Sequence, residues 1–114
     1  MSEGIKPSSL EIRKKILEAT QITGKNESEL LDQVDRLFAE FERGHEIEIA
    51  HYQRTIKKLQ RALEEVNKKP VEKHVFKTLI DEMNEEVYAF EKAHPELTRS
   101  LENIIRIFRN LGFT

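Results

Sequence analysis

Residues 76–111, FKTLIDEMNEEVYAFEKAHPELTRSLENIIRIFRNL, decide the fold. Within them Phe76, Ile80, Met83, Val87, Phe90, His94, Leu97, Leu101, Ile104, Phe108 and Leu111 follow one another by fours and threes. That spacing keeps every member on one face of a helix. All are apolar except His94, which stands directly before Pro95. A long helical seam thus carries its titratable member at a helix breaker.

The preceding residues repeat the pattern. Ile49, Tyr52, Ile56, Leu59, Leu63 and Val66 form a second stripe, and Leu31, Phe38, His45, Tyr52, Leu59 and Val66 stand seven apart. The phase therefore runs through Gly44. The reading is one helix over 27–69, weak at Gly44, because glycine costs about 1 kcal/mol against alanine inside a helix. Pro70 turns the chain. A second long helix over 71–111 follows, kinked at Pro95 because the residue before a proline avoids the α region. Upstream, 1–7 reads as a flexible arm. Ser8 with Glu11 is a capping box for a short helix over 9–22, stopped by Gly24. Asn26 with Glu29 caps the next helix, and Gly112 with Phe113 closes the last.

Two long helices joined at one proline should pair antiparallel, with positions whose numbers sum to about 142 facing each other. Val66 then meets Phe76, Leu59 meets Met83, Tyr52 meets Phe90 and Leu31 meets Leu111. Each arm would be roughly 60 Å long at about 1.5 Å per residue. Such a hairpin leaves Leu30, Leu37, Phe41, Leu79 and Tyr88 beside the seam as an interaction surface. A second copy would cover them in a dimeric bundle. The expected fold is all-α, one domain: a long, coiled-coil-like antiparallel hairpin with a short N-terminal helix.

Composition agrees with exposed helices. Of 114 residues, 35% are charged and 38% hydrophobic, so the chain buries stripes rather than a thick core. The net charge of −2 mixes both signs and offers no field for nucleic acid. Cysteine is absent, which excludes disulfides, thiolate nucleophiles and cysteine-held metals. No apolar run suits a membrane span, and Met1-Ser2-Glu3-Gly4 has no basic-then-apolar signal pattern, so a cytoplasmic protein is expected.

Chemistry concentrates at one level of the hairpin. The register brings Gly44 and Pro95 together, with His45, Glu48, His51, Glu91 and His94 around them. Glu48-Ile-Ala-His51 and Glu91-Lys-Ala-His94 are both Glu-x-x-His, the spacing by which carboxylate bundles hold two irons or two manganese ions. Imidazole with carboxylate suits iron, manganese or zinc. The plainer reading is a structural polar layer at Gly44, His45, His94 and Pro95. In it His94 donates to a carbonyl freed at the proline or caps the next turn. His45 and His94, half-buried together, would change charge between about pH 5 and 8. Tyr52 and Tyr88 read as seam-edge residues with their hydroxyls in water. Arg54, Lys57, Lys58 and Arg61 read as a solvated basic side of the helix. Glu64–Lys68 and Glu65–Lys69 are favourable i, i+4 pairs. No Ser-His-Asp set and no glycine-rich phosphate loop occurs.

The run Val87-x-x-Phe90-Glu91-x-x-His94-Pro95-x-Leu97-Thr98, with Leu101, Ile104 and the closing Asn110-Leu111-Gly112-Phe113, resembles the C-terminal part of a known family. That family comprises short bacterial helical proteins and is labelled only as a domain of unknown function. Its members show Phe-Glu-x-x-His-Pro-x-Leu-Thr and end Gly-Ile, where this chain has Gly112-Phe113-Thr114. The resemblance implies that Phe90, Glu91, His94, Pro95, Leu97 and Thr98 form a recurring unit, and brings no activity with it.

The expectation is a non-catalytic interaction or scaffolding module, self-associating and without cofactor. One alternative is a metal-binding bundle using Glu48, His51, Glu91 and His94. The other is an adaptor or inhibitor whose flank takes a partner helix.

Overall fold

The computed structural model describes residues 9–43, 49–90 and 94–111. These residues form five helices: α1 (Ser9–Glu18), α2 (Gly24–Arg43), α3 (Ile49–Val66), α4 (Lys73–Phe90) and α5 (Pro95–Arg109). The all-α expectation holds.

The seam is real. From Phe76 to Phe108 each of its apolar members is buried, while His94 and Leu111 are half-buried. On α3, Tyr52, Ile56, Leu59, Leu63 and Val66 are buried opposite them. The α3–α4 pair is the expected antiparallel hairpin, with Lys58 meeting Glu86 near its middle and Glu65 meeting Glu72 at its turn. Lys69–Pro70 in that turn is cis.

The long rods are not there. The molecule measures 39 × 27 × 23 Å, shorter than either expected arm. The first rod is replaced by α2 and α3, and Phe38 and Phe41 of α2 pack on Tyr52 of α3. The second is broken rather than kinked. His94 takes φ −140° and ψ 73°, outside the helical region, and Pro95 opens α5 as its first residue. A proline N-terminus needs no N–H, while a continued helix would force its ring into the preceding turn. Phe76 then meets Phe108 across an antiparallel α4–α5 pair. The hairpin has been folded in half. Its ends still lie together, since α2 packs along α5 and the Asn103 amide donates to the Gln33 side chain at 3.2 Å.

The N-terminal helix fills the remaining side, packing on both α2 and α3. Ile12, Ile16, Ala19 and Ile22 point inward, and Arg13 pairs with Asp35 at 2.6 Å. α1 ends four residues earlier than expected. Gly24 opens α2 instead of stopping α1, at φ +59°, a region that costs other residues strain. The Asn26–Glu29 box is thus overtaken by a helix already running. Ser8, Gly44, Gly112 and Phe113 lie outside the described residues.

Folding in half also removes the expected flank. Leu30 and Leu37 are fully buried, Phe41 and Leu79 half-buried, and Tyr88 alone of the five is largely exposed.

Candidate functional site

The described part of the histidine layer is an aromatic cluster at the end of the bundle where both rods break. Phe90, buried at the C-terminus of α4, is its hub. His51 of α3 meets it edge-on at 5.7 Å between ring centroids, His94 at 6.3 Å, and Phe41 of α2 at 6.0 Å. Phe41 in turn stands edge-on to Tyr52 at 4.2 Å. Edge-to-face contacts of this kind add to burial because ring edges are positive and faces negative.

Local sequence explains each placement. His51 and Tyr52 lie in the first turn of α3, and the Thr55 hydroxyl donates to the His51 carbonyl. His94 precedes Pro95, so its φ and ψ leave the helix. Its side chain caps nothing; its backbone joins the two helices, the N–H donating to Phe90 and the carbonyl accepting from Thr98. The expected capping role of the imidazole is therefore replaced by a ring contact with Phe90.

Tyr52 departs from expectation. It is 8% exposed and its hydroxyl has no partner among the described residues, rather than reaching water. Burial, with the charge of Glu42 second, pushes the phenol up to about 12. The Thr98 hydroxyl, in the first turns of α5, is likewise buried without a partner among the described residues.

Two of the four nominated metal ligands, His51 and His94, reach one ring. Glu48, Glu91 and His45 lie outside the described residues, so each Glu-x-x-His pair is only half described. Among the described residues no group of three histidines or carboxylates converges in a way that could hold a metal ion.

A second polar cluster was not foreseen. Glu86 is 6% exposed in the α3–α4 seam. Lys58 donates to its Oε2 at 2.8 Å and Arg54 at 3.4 Å, while Oε1 has no partner among the described residues. Burial alone would raise this carboxyl. The Lys58 hydrogen bond and charge, then Arg54, outweigh it and hold the group below its ordinary value. The basic side read as solvated is thus split: Arg54 and Lys58 turn onto Glu86, while Lys57 and Arg61 stay exposed. Glu65, 3% exposed, closes the α3–α4 turn by accepting from the Glu72 N–H at 3.1 Å and pairing with Lys68 at 3.0 Å. That pairing is one residue from the expected Glu65–Lys69 pair, and Glu64 reaches Lys15 of α1 at 3.6 Å. Both buried carboxylates serve the hairpin.

Comparison with known proteins adds one match. DUF4404, a domain of unknown function, spans residues 46–113. The chain belongs to this family. The matched region takes in α3, α4 and α5 and leaves α1 and α2 outside. No curated protein and no solved structure matches the chain. Among the described residues no helix is long and apolar enough to cross a membrane.

Proposed function

We propose that this DUF4404 protein is a small cytoplasmic interaction or scaffolding module without catalytic activity. The observation that carries the reading is the way α1 and α2, outside the family region, are seated on it. α2 inserts Leu30, Val34 and Leu37 into the core beside α5. The family unit is thus built to accept an amphipathic helix, the groove mode of recognition. Of the described carboxylates, the buried Glu65 and Glu86 are occupied in holding the α3–α4 hairpin. On the outer face of α1, Leu10 and Leu17 are one heptad apart, 72% and 57% exposed, with Lys14 between them. They replace Leu30 and Leu37 as the apolar surface offered outward.

The test is to recover the tagged full chain from its source cell, beside a Leu10→Lys, Leu17→Lys double variant. A protein held in fixed proportion by the wild type and lost from the variant, with melting unchanged, is the expected result. Recovery of the chain alone, with a monomer mass by light scattering, overturns the reading.

One observation favours a second reading. His51 and His94 both abut Phe90, so two imidazoles share one end of the bundle, and Glu48 and Glu91 stand three residues before them in sequence. Elemental analysis of untagged protein decides it: iron, manganese or zinc in fixed stoichiometry supports a metal-binding bundle, and its absence removes it.

A further inference from the structure

We propose that α1–α2 is an exchangeable hairpin, and that the seat it fills on α5 and α3 also accepts the same hairpin from a second copy of the chain. The proposal names one partner for the interaction module. An outside partner at Leu10 and Leu17 is a separate matter, so the two readings fail separately.

Four observations converge. First, α1 and α2 pack on each other, and Arg13 ties α1 to Asp35 of α2. Second, the family region begins at residue 46, between α2 and α3, so the boundary of the matched unit and the boundary of the hairpin coincide. Third, the hairpin meets the family unit by side-chain contacts that do not depend on chain connectivity. α2 lies along α5, with Asn103 donating to Gln33, and α1 lies on α3, with Lys15 facing Glu64. A second copy supplies every one of these groups. Fourth, the sequence keeps one heptad phase across the connection between α2 and α3: Leu31, Phe38, His45, Tyr52, Leu59 and Val66 stand seven apart. In the exchanged dimer each chain delivers its α1–α2 to the partner's α5, the low-cost route by which identical chains trade an element.

Cross-linking reads the exchange directly. The chain has no cysteine of its own. Gln33→Cys with Asn103→Cys in the full chain, treated with a short bismaleimide, links α2 to α5. In a closed monomer the link is within one chain. In the exchanged dimer it joins two chains, which mixing ordinary with isotopically heavy protein distinguishes by mass. The expected result is an interchain link whose share rises in proportion to protein concentration. Should that pair not fold, Lys15→Cys with Glu64→Cys reads the same exchange between α1 and α3. Links confined to one chain at every concentration, even after unfolding and refolding of concentrated protein, overturn the proposal. So does a dimer by light scattering whose 33–103 links stay within one chain.

Discussion

Replacing Tyr52 by phenylalanine should stabilise the protein. The ring is held by Phe41 at 4.2 Å and Phe38 at 6.5 Å, contacts that phenylalanine keeps. The hydroxyl is buried without a partner among the described residues. Leaving such a group unsatisfied costs about 1–3 kcal/mol, so removing it should return about 1 kcal/mol after allowing for imperfect repacking. A second effect appears in alkali. The phenol ionises near its ordinary value of 10.0 in the unfolded chain and at about 12 in the native state. Between those values the native state holds a proton that the unfolded state has released, so stability falls as pH rises. The raised value contributes fully below about pH 10 and is lost through about pH 12, a swing of roughly 2.7 kcal/mol. Tyr52→Phe has no such arm. Urea unfolding of both proteins from about pH 7 to about pH 11 measures the difference, with lysine titration common to both. The gap should open from about 1 kcal/mol at neutrality as pH rises through 10. A variant less stable than wild type at pH 7 would show that the hydroxyl has a partner. Parallel alkaline curves would show that the phenol reaches water. Either result refutes the buried, unpartnered hydroxyl.

Other expectations follow from burial and charge. Glu86→Gln removes the anion between Lys58 and Arg54 and should cost about 2 kcal/mol at pH 7 by denaturant titration. Because the native carboxyl lies below its ordinary value, its contribution is present above the unfolded value. It fades as pH falls through the native one, so wild type and variant should converge in acid. Leu37→Ala should cost about 3 kcal/mol, whereas Leu17→Ala should stay within about 0.5 kcal/mol; equal effects in thermal melts would contradict the assignment of α2 to the core. Gly24→Ala should cost about 1 kcal/mol although nothing lies within 4 Å of the added methyl group, because φ is +59°. A neutral result would mean that the turn relaxes freely.

The sequence displayed faces clearly and lengths poorly. Four-three spacing predicted the buried stripes of α3, α4 and α5 almost residue by residue, since a side chain's face depends only on its phase. Its register for the α3–α4 hairpin came close, with His51 against Phe90 and Lys58 against Glu86, because a short turn fixes the register of a hairpin. The aromatic half of the candidate site was visible for the same reason. Glu86 was missed though the register arithmetic sets it near Lys58, because a carboxylate off the apolar stripe was counted with the solvated face. Ser100 and Ile107 were missed too: they belong to a second buried side of α5, and α5 is covered from two directions, by α4 and by α2.

Why the rods fold back follows from magnitudes. Phase continuity across Gly44 and Pro95 says that one face could stay buried through a continuous helix; it does not say that the helix is continuous. An extended hairpin buries one stripe per arm and leaves Leu30, Leu37 and Ile107 in water. Each such side chain gains about 1.5–3 kcal/mol on full burial. Against that, breaking two helices forfeits a few intrahelical hydrogen bonds of about 1 kcal/mol net each. Proline lowers the loss further at Pro95, where the second break falls. With three or more flank residues to recover, folding in half wins for a single chain. A second copy that covers the same flank removes most of that advantage. The balance between the closed monomer and the proposed exchanged dimer therefore turns on protein concentration and on the cost of detaching α1–α2 from its own chain.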